Sequence, residues 1–156
     1  MDPEQDVDTH PDRSPRRLTD LAPDDCWALL EGAVVGRVAW CGPDGPHVVP
    51  VNLAVSQRQV WFRTAAYSPL LGHCRAGAPV AIEADHLDVA HRSGWSVVVT
   101  GTAEAVDGAE VPEAARLLDT WAPGSRSGHV RVLAHLVTGR RLTQPTPRLP
   151  TTEENP

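Results

Sequence analysis

From Ala33 to Val106 the chain is written in short runs rich in Val, Ala and Leu, with alternating polar positions and with Gly, Pro, Asn or Asp at the breaks. That period of two predicts successive strands. Val34, Val35, Val38 and Trp40 mark a first strand, and the turn residues of 41–46 (CGPDGP) send the chain back through 47–55. A polar turn at 56–59 leads into a third strand at 60–64, so three strands follow one another by short connections, as in an antiparallel meander. Residues 79–84 read as a fourth strand and 95–106 as a long fifth, in which Gly101 predicts a bulge or bend. The last strand spans about 130–137, where Arg131 and His135 alternate with apolar residues.

Three segments change to helical spacing. Pro23 at a first turn, followed by Asp24 and Asp25, opens a helix to about Glu31 with Trp27 and Leu30 on its buried face. Ser68 and Pro69 form an N-cap and first helical position, Leu70, Leu71 and Cys74 follow in register, and Gly77 closes the helix. Residues 111–120 predict a third, and 85–94 a polar loop. Six mostly antiparallel strands with three short helices predict a mainly β (α+β) fold, a small closed barrel, because closure removes the exposed edges of an open sheet.

Residues 1–18 and 143–156 are rich in Pro, Thr and charge and poor in apolar side chains, which predicts disordered tails around one domain at 19–142. All fourteen basic residues are arginine, so a lysine Schiff base and a Walker-type lysine are excluded. A formal charge of −6 argues against nucleic acid as a partner. Three widely spaced cysteines, a polar acidic N-terminus and no long apolar run predict a cytoplasmic protein with reduced thiols and no membrane partner. The histidines show no metal-ligand spacing, and no nucleophile elbow or dinucleotide fingerprint is present; no catalytic side chain is assigned.

The segment Phe62-Arg63-Thr64-Ala65-Ala66-Tyr67-Ser68-Pro69 carries the most chemistry. A strand ends in Arg-Thr and a helix begins at Ser, so a guanidinium fork, two hydroxyls and helix-start amides can converge on a phosphate. An ordinary capped helix with Arg63 in solvent accounts for the same residues. Trp95, at a strand start beside a polar loop, is a candidate for ring stacking.

Taken in order, 35–38 (VGRV), 46–52 (PHVVPVN), 60–65 (VWFRTA), 79–83 (PVAIE) and 95–104 (WSVVVTGTAE) resemble the flavin-binding split-barrel superfamily. The likeness is to pyridoxamine 5′-phosphate oxidase-like proteins of the actinobacterial and nitroimidazole-resistance-like branches. It implies a six-stranded antiparallel split β-barrel that forms a homodimer with FMN at the interface. On that likeness Pro50, Val51 and Asn52 border the flavin ring, Arg63, Thr64, Ala65 and Ser68 hold the phosphate, and Trp95 and Ser96 approach the ring or ribityl chain. Trp121 and the last strand are candidate interface elements. The chain lacks the Gly-Arg-Lys-like stretch of many relatives at the helix start, having 67–70 (YSPL) instead, and it has Arg63 where nitroimidazole-resistance-like proteins often have His.

The implied function is an FMN-dependent oxidoreductase acting on an unidentified small molecule. Two alternatives remain open: the deazaflavin F420 as cofactor, and a non-enzymatic flavin carrier or sensor. Pyridoxamine phosphate itself is disfavoured as substrate, because the C-terminal region is a Thr-Pro-rich stretch without added basic residues.

Overall fold

The computed structural model describes residues 16–144. Its strands are β1 (Arg17–Asp20), β2 (Val35–Gly42), β3 (Gly45–Ser56), β4 (Gln59–Thr64), β5 (Pro79–Asp88), β6 (Ser93–Val106) and β7 (Gly128–Thr143). The helices are α1 (Pro23–Gly32), α2 (Pro69–Arg75) and α3 (Glu113–Arg116). Every strand pair is antiparallel, in the order β1-β7-β4-β3-β2-β5-β6, and β6 pairs back onto β7. Six strands therefore close a barrel, as the alternation predicts, and β1 is added outside it along the end of β7.

Alternation drives the closure. Val38, Val60, Phe62, Ile82, Val97, Val99, Val130 and Val132 are inaccessible to solvent and meet inside the barrel. Each such side chain contributes roughly 1.5–3 kcal/mol of transfer free energy. Cys26, Trp27 and Leu30 of α1 and Leu70, Leu71 and Cys74 of α2 pack onto the same core. A smaller cluster of Trp61, Val106, Val111 and Ala115 lies under α3.

The closing seam bears out the reading of Gly101. The β6–β7 register slips between Thr100 and Gly101, and a Cβ at Gly101 would stand 2.0 Å from the Leu133 carbonyl oxygen. Only glycine lets the two backbones approach so closely.

Four elements differ from the sequence pattern. Strand β1 begins inside the stretch expected to be an N-terminal tail, and Thr143, expected in the C-terminal one, is its partner through Arg17. Residues 1–15 and 145–156 of the expected tails lie outside the described residues. Residues 85–94 form a hairpin instead of a loop: Asp88 accepts the His91 N–H at 2.9 Å, and the register continues to Asp88↔Ser93. The third helix shrinks to α3, preceded by a 3₁₀ turn at Gly108–Glu110. Beyond Arg116 the backbone turns instead to side chains of the barrel, described next.

Candidate functional site

Strand β3 has two different neighbours. Residues 45–52 pair with β2, whereas β4 joins only from Leu53 to Ser56. Along Pro50, Val51 and Asn52 one edge of β3 therefore has no strand partner, which suits a proline that lacks an N–H. The barrel splits here, and a cavity of about 420 Å³ opens between the two strands. Its floor is Val49, Pro50, Val51 and Asn52, one end holds Arg63, Thr64, Ser68, Pro69 and Leu70, the other holds Trp40 and His47, and the loop after α3 contributes Thr120, Ala122 and Arg126.

That loop is held by the expected site residues. Arg63 donates Nε to the Arg126 carbonyl at 2.8 Å and Nη1 to the Leu118 carbonyl at 3.1 Å. Asn52, 9% exposed, accepts the Trp121 N–H at 2.9 Å through Oδ1. These bonds take up backbone groups that a longer α3 would have satisfied internally, so the expected helix to residue 120 does not form. Arg63 thus commits Nε and Nη1 to the loop and retains Nη2, while Asn52 accepts from the loop and donates Nδ2 to the Val34 carbonyl at 3.4 Å.

The helix start is likewise partly committed. Ser68 Oγ accepts the Leu71 N–H at 3.0 Å and stands 2.9 Å from Thr64 Oγ1, and Gly72 donates to the Ser68 carbonyl at 3.2 Å. Pro69 has no N–H. Of the first-turn amides only that of Leu70 is left over. The donors left at this end are therefore side chains: Arg63 Nη2, Arg126 and the hydroxyl pair. Although the whole chain carries a charge of −6, no carboxylate lines the cavity. The positive end also reaches His129, which faces Arg63 across the β4–β7 ladder. Burial, then the nearby Arg63 charge, holds its pKa below the usual histidine value.

Six of the nine expected site residues line this cavity, and Ala65 stands just behind them: it accepts the Ser68 N–H through its carbonyl and does not line the cavity. Trp95 and Ser96 do not join them within one chain. Both lie at a separate hollow of about 510 Å³ beside Leu18, Leu87, Arg140 and Leu142. Arg126, Thr120, Trp40 and His47 line the cavity without having been singled out from the sequence as site residues. The loop residues carry no periodicity, but His47 stands next to the expected ring-bordering run and was within reach. Among the described residues no group of three His, Cys, Asp or Glu could hold a metal ion, and no helix is long and apolar enough to cross a membrane.

Comparison with known proteins fits this geometry. The family model described as pyridoxamine 5′-phosphate oxidase matches residues 22–141. This chain belongs to that family. Uncharacterized protein Rv0080 of Mycobacterium tuberculosis is 36% identical to this family member over 135 residues, covering 83% of the chain and 89% of the relative. The structure of an FAD-binding protein from Mycobacterium smegmatis shares 32% identity and a TM-score of 0.61, covering 80% of this chain and 98% of that one. An FAD-binding protein of Mesorhizobium loti has the same fold, with a TM-score of 0.68 at 23% identity over 83% of this chain and all of its own.

The pyridoxamine-oxidase-family barrel also suits a flavin on its own residues. A cavity end with two arginines and no carboxylate fits a phosphate, an unpaired strand edge offers main-chain groups to a ring system, and the volume lies in the ordinary range for small-molecule sites.

Proposed function

We propose that this chain is a flavin-binding oxidoreductase that holds FMN in the cavity between β3 and β4 and acts on a small molecule. The observation that carries the reading is the charge distribution of the slot: two arginines and two hydroxyls at one end, no acid anywhere on its walls, in a protein of net charge −6. Arg63, Arg126, Thr64 and Ser68 would hold the phosphate. The unpaired edge at Pro50, Val51 and Asn52 would border the ring. The bound flavin would supply the electron or hydride chemistry, and the protein orients it and excludes water.

Trp95 and Ser96 complete the site only if a second copy supplies them, so the working unit is a homodimer. Exposed Leu18, Leu87, Val89 and Leu136, with Trp121, are apolar surface that such a dimer would cover. Free thiols at Cys26, Cys41 and Cys74 suit a cytoplasmic setting. A second reading, FAD in place of FMN, is favoured by the FAD-binding relatives in M. smegmatis and M. loti.

The test is an absorbance spectrum and mass of the ligand released from the purified protein, with titration of the apo protein by FMN, FAD and F420 and by size analysis. Oxidised-flavin absorbance, a dimer, and binding weakened about tenfold in Arg126→Ala support the reading; loss of one charge-assisted contact gives that magnitude. A protein that takes up only F420 overturns the flavin assignment, and one that takes up none of the three overturns the cofactor site altogether.

A further inference from the structure

One wall of the slot differs from the rest. Trp40 and His47 are direct cross-strand partners on β2 and β3, and their rings stack with centroids 4.9 Å apart and planes 16° apart. The turn between them places Asp44 Oδ1 2.7 Å from His47 Nε2. Gly42 makes this possible: a Cβ there would come within 2.9 Å of Nε2 and 3.1 Å of Asp44 Oδ1. One hairpin thus fixes both the plane of the imidazole and the partner of one of its nitrogens.

The slot contains nothing else of this kind. Its other polar walls are arginine, asparagine, threonine and serine, none of which exchanges a proton near neutral pH. With a carboxylate accepting from Nε2–H, the neutral ring carries its lone pair on Nδ1, and the imidazolium donates from both nitrogens. We propose that His47 is the proton-exchanging residue of this cavity, which takes up a proton from solvent as the flavin ring system enters and donates Nδ1–H to a ring carbonyl oxygen. Asp44 is the positioning residue that fixes the tautomer and supports the imidazolium. The proposal rests on the flavin reading above.

The charged and titratable groups around His47 are Asp44 on its own turn, His73 of α2, and Arg63 and Arg126 across the cavity. His73 approaches the Trp40 ring at 6.4 Å and lies 3.3 Å from the Pro79 carbonyl. The hydrogen bond from His47 keeps the Asp44 carboxyl below its usual range, so it stays an acceptor at every pH of interest.

The experiment measures Kd for FMN, and for FAD in parallel, on apo wild type, His47→Gln, Asp44→Asn and His73→Gln from pH 5.5 to 8.5, with thermal melts to confirm folding. The flavin phosphate titrates in this range too, so each variant is read against wild type. The ratio of the His47→Gln Kd to the wild-type Kd should fall from about tenfold at pH 5.5 to about one at pH 8.5, as one linked proton requires. Asp44→Asn should move that fall to lower pH, and His73→Gln should track wild type. The His47 ring proton signal in NMR should report a higher pKa with flavin bound than free. A ratio that is flat with pH, or a His47 pKa unmoved by flavin, overturns the proposal while leaving the flavin reading intact. Failure of wild type to bind either flavin overturns both.

Discussion

Replacing Arg63 by alanine removes more than a phosphate contact. Its Nε and Nη1 bond the carbonyls of Arg126 and Leu118 at 2.8 and 3.1 Å, and with Asn52 they pin the loop after α3 over the cavity. Hydrogen bonds from a charged donor contribute about 1.5–3 kcal/mol each. Because the loop carbonyls are only partly buried, water can take over some of that interaction, so the pair is worth about 2–3 kcal/mol in total. For a domain of this size the loss corresponds to a fall in Tm of roughly 6–12 °C. Urea unfolding of Arg63→Ala should show a lower midpoint with an unchanged slope, and trypsin should cut more readily at Arg126. Arg126→Ala leaves its own carbonyl in place, so it should weaken anion binding and leave stability within about 0.5 kcal/mol of wild type. A change below about 0.5 kcal/mol in Arg63→Ala would refute the argument that this side chain holds the loop.

Three further outcomes follow from the packing and the ionisation. Gly101→Ala, whose Cβ would stand 2.0 Å from the Leu133 carbonyl oxygen, should cost about 3 kcal/mol or prevent closure of the seam, read as a lower urea midpoint; an unchanged midpoint would refute the close approach. Burial pushes the Cys74 thiol up to about 11 and raises Cys26 as well, so at pH 8 a disulfide reagent should label only the exposed Cys41 in the native protein and all three cysteines after unfolding. His129 has a pKa depressed below 6.5 by burial and by Arg63, so the unfolded chain binds more protons and stability should decline as pH falls below 6.5; His129→Asn should flatten that slope in urea melts taken from pH 7.5 to 5.

How much of this was legible depended on where the information sits in the chain. The hairpins β2–β3 and β3–β4 were legible because alternation and turn residues are local signals, and Ser68 was legible as a cap because it bonds the Leu71 N–H three residues on. Strand β1 has one apolar residue, Leu18, and exists through pairing with 140–143, which no local pattern announces. Residues 85–88 carry charge and so read as loop, yet Asp88 uses its carboxylate to close the hairpin. Leu117 and Leu118 sit at helical spacing and mimic a longer α3, but Leu117 is 73% exposed and the Leu118 carbonyl is taken by Arg63. The phosphate end was half legible: Arg63, Thr64 and Ser68 are near neighbours in sequence, whereas Arg126 arrives from 63 positions away. Trp95 and Ser96, expected at the ring, lie at another hollow in the same chain.

Strand β7 gives the molecule a schedule as well as a shape. It pairs with β1, β4 and β6, and it comes after every other described strand in the chain. Until Gly128 and the residues after it are made, β4 and β6 each present an unsatisfied edge, the kind of surface that recruits other nascent chains. Stalling or truncation before this strand should therefore yield a sticky fragment, while in the completed chain β7 covers both edges at once.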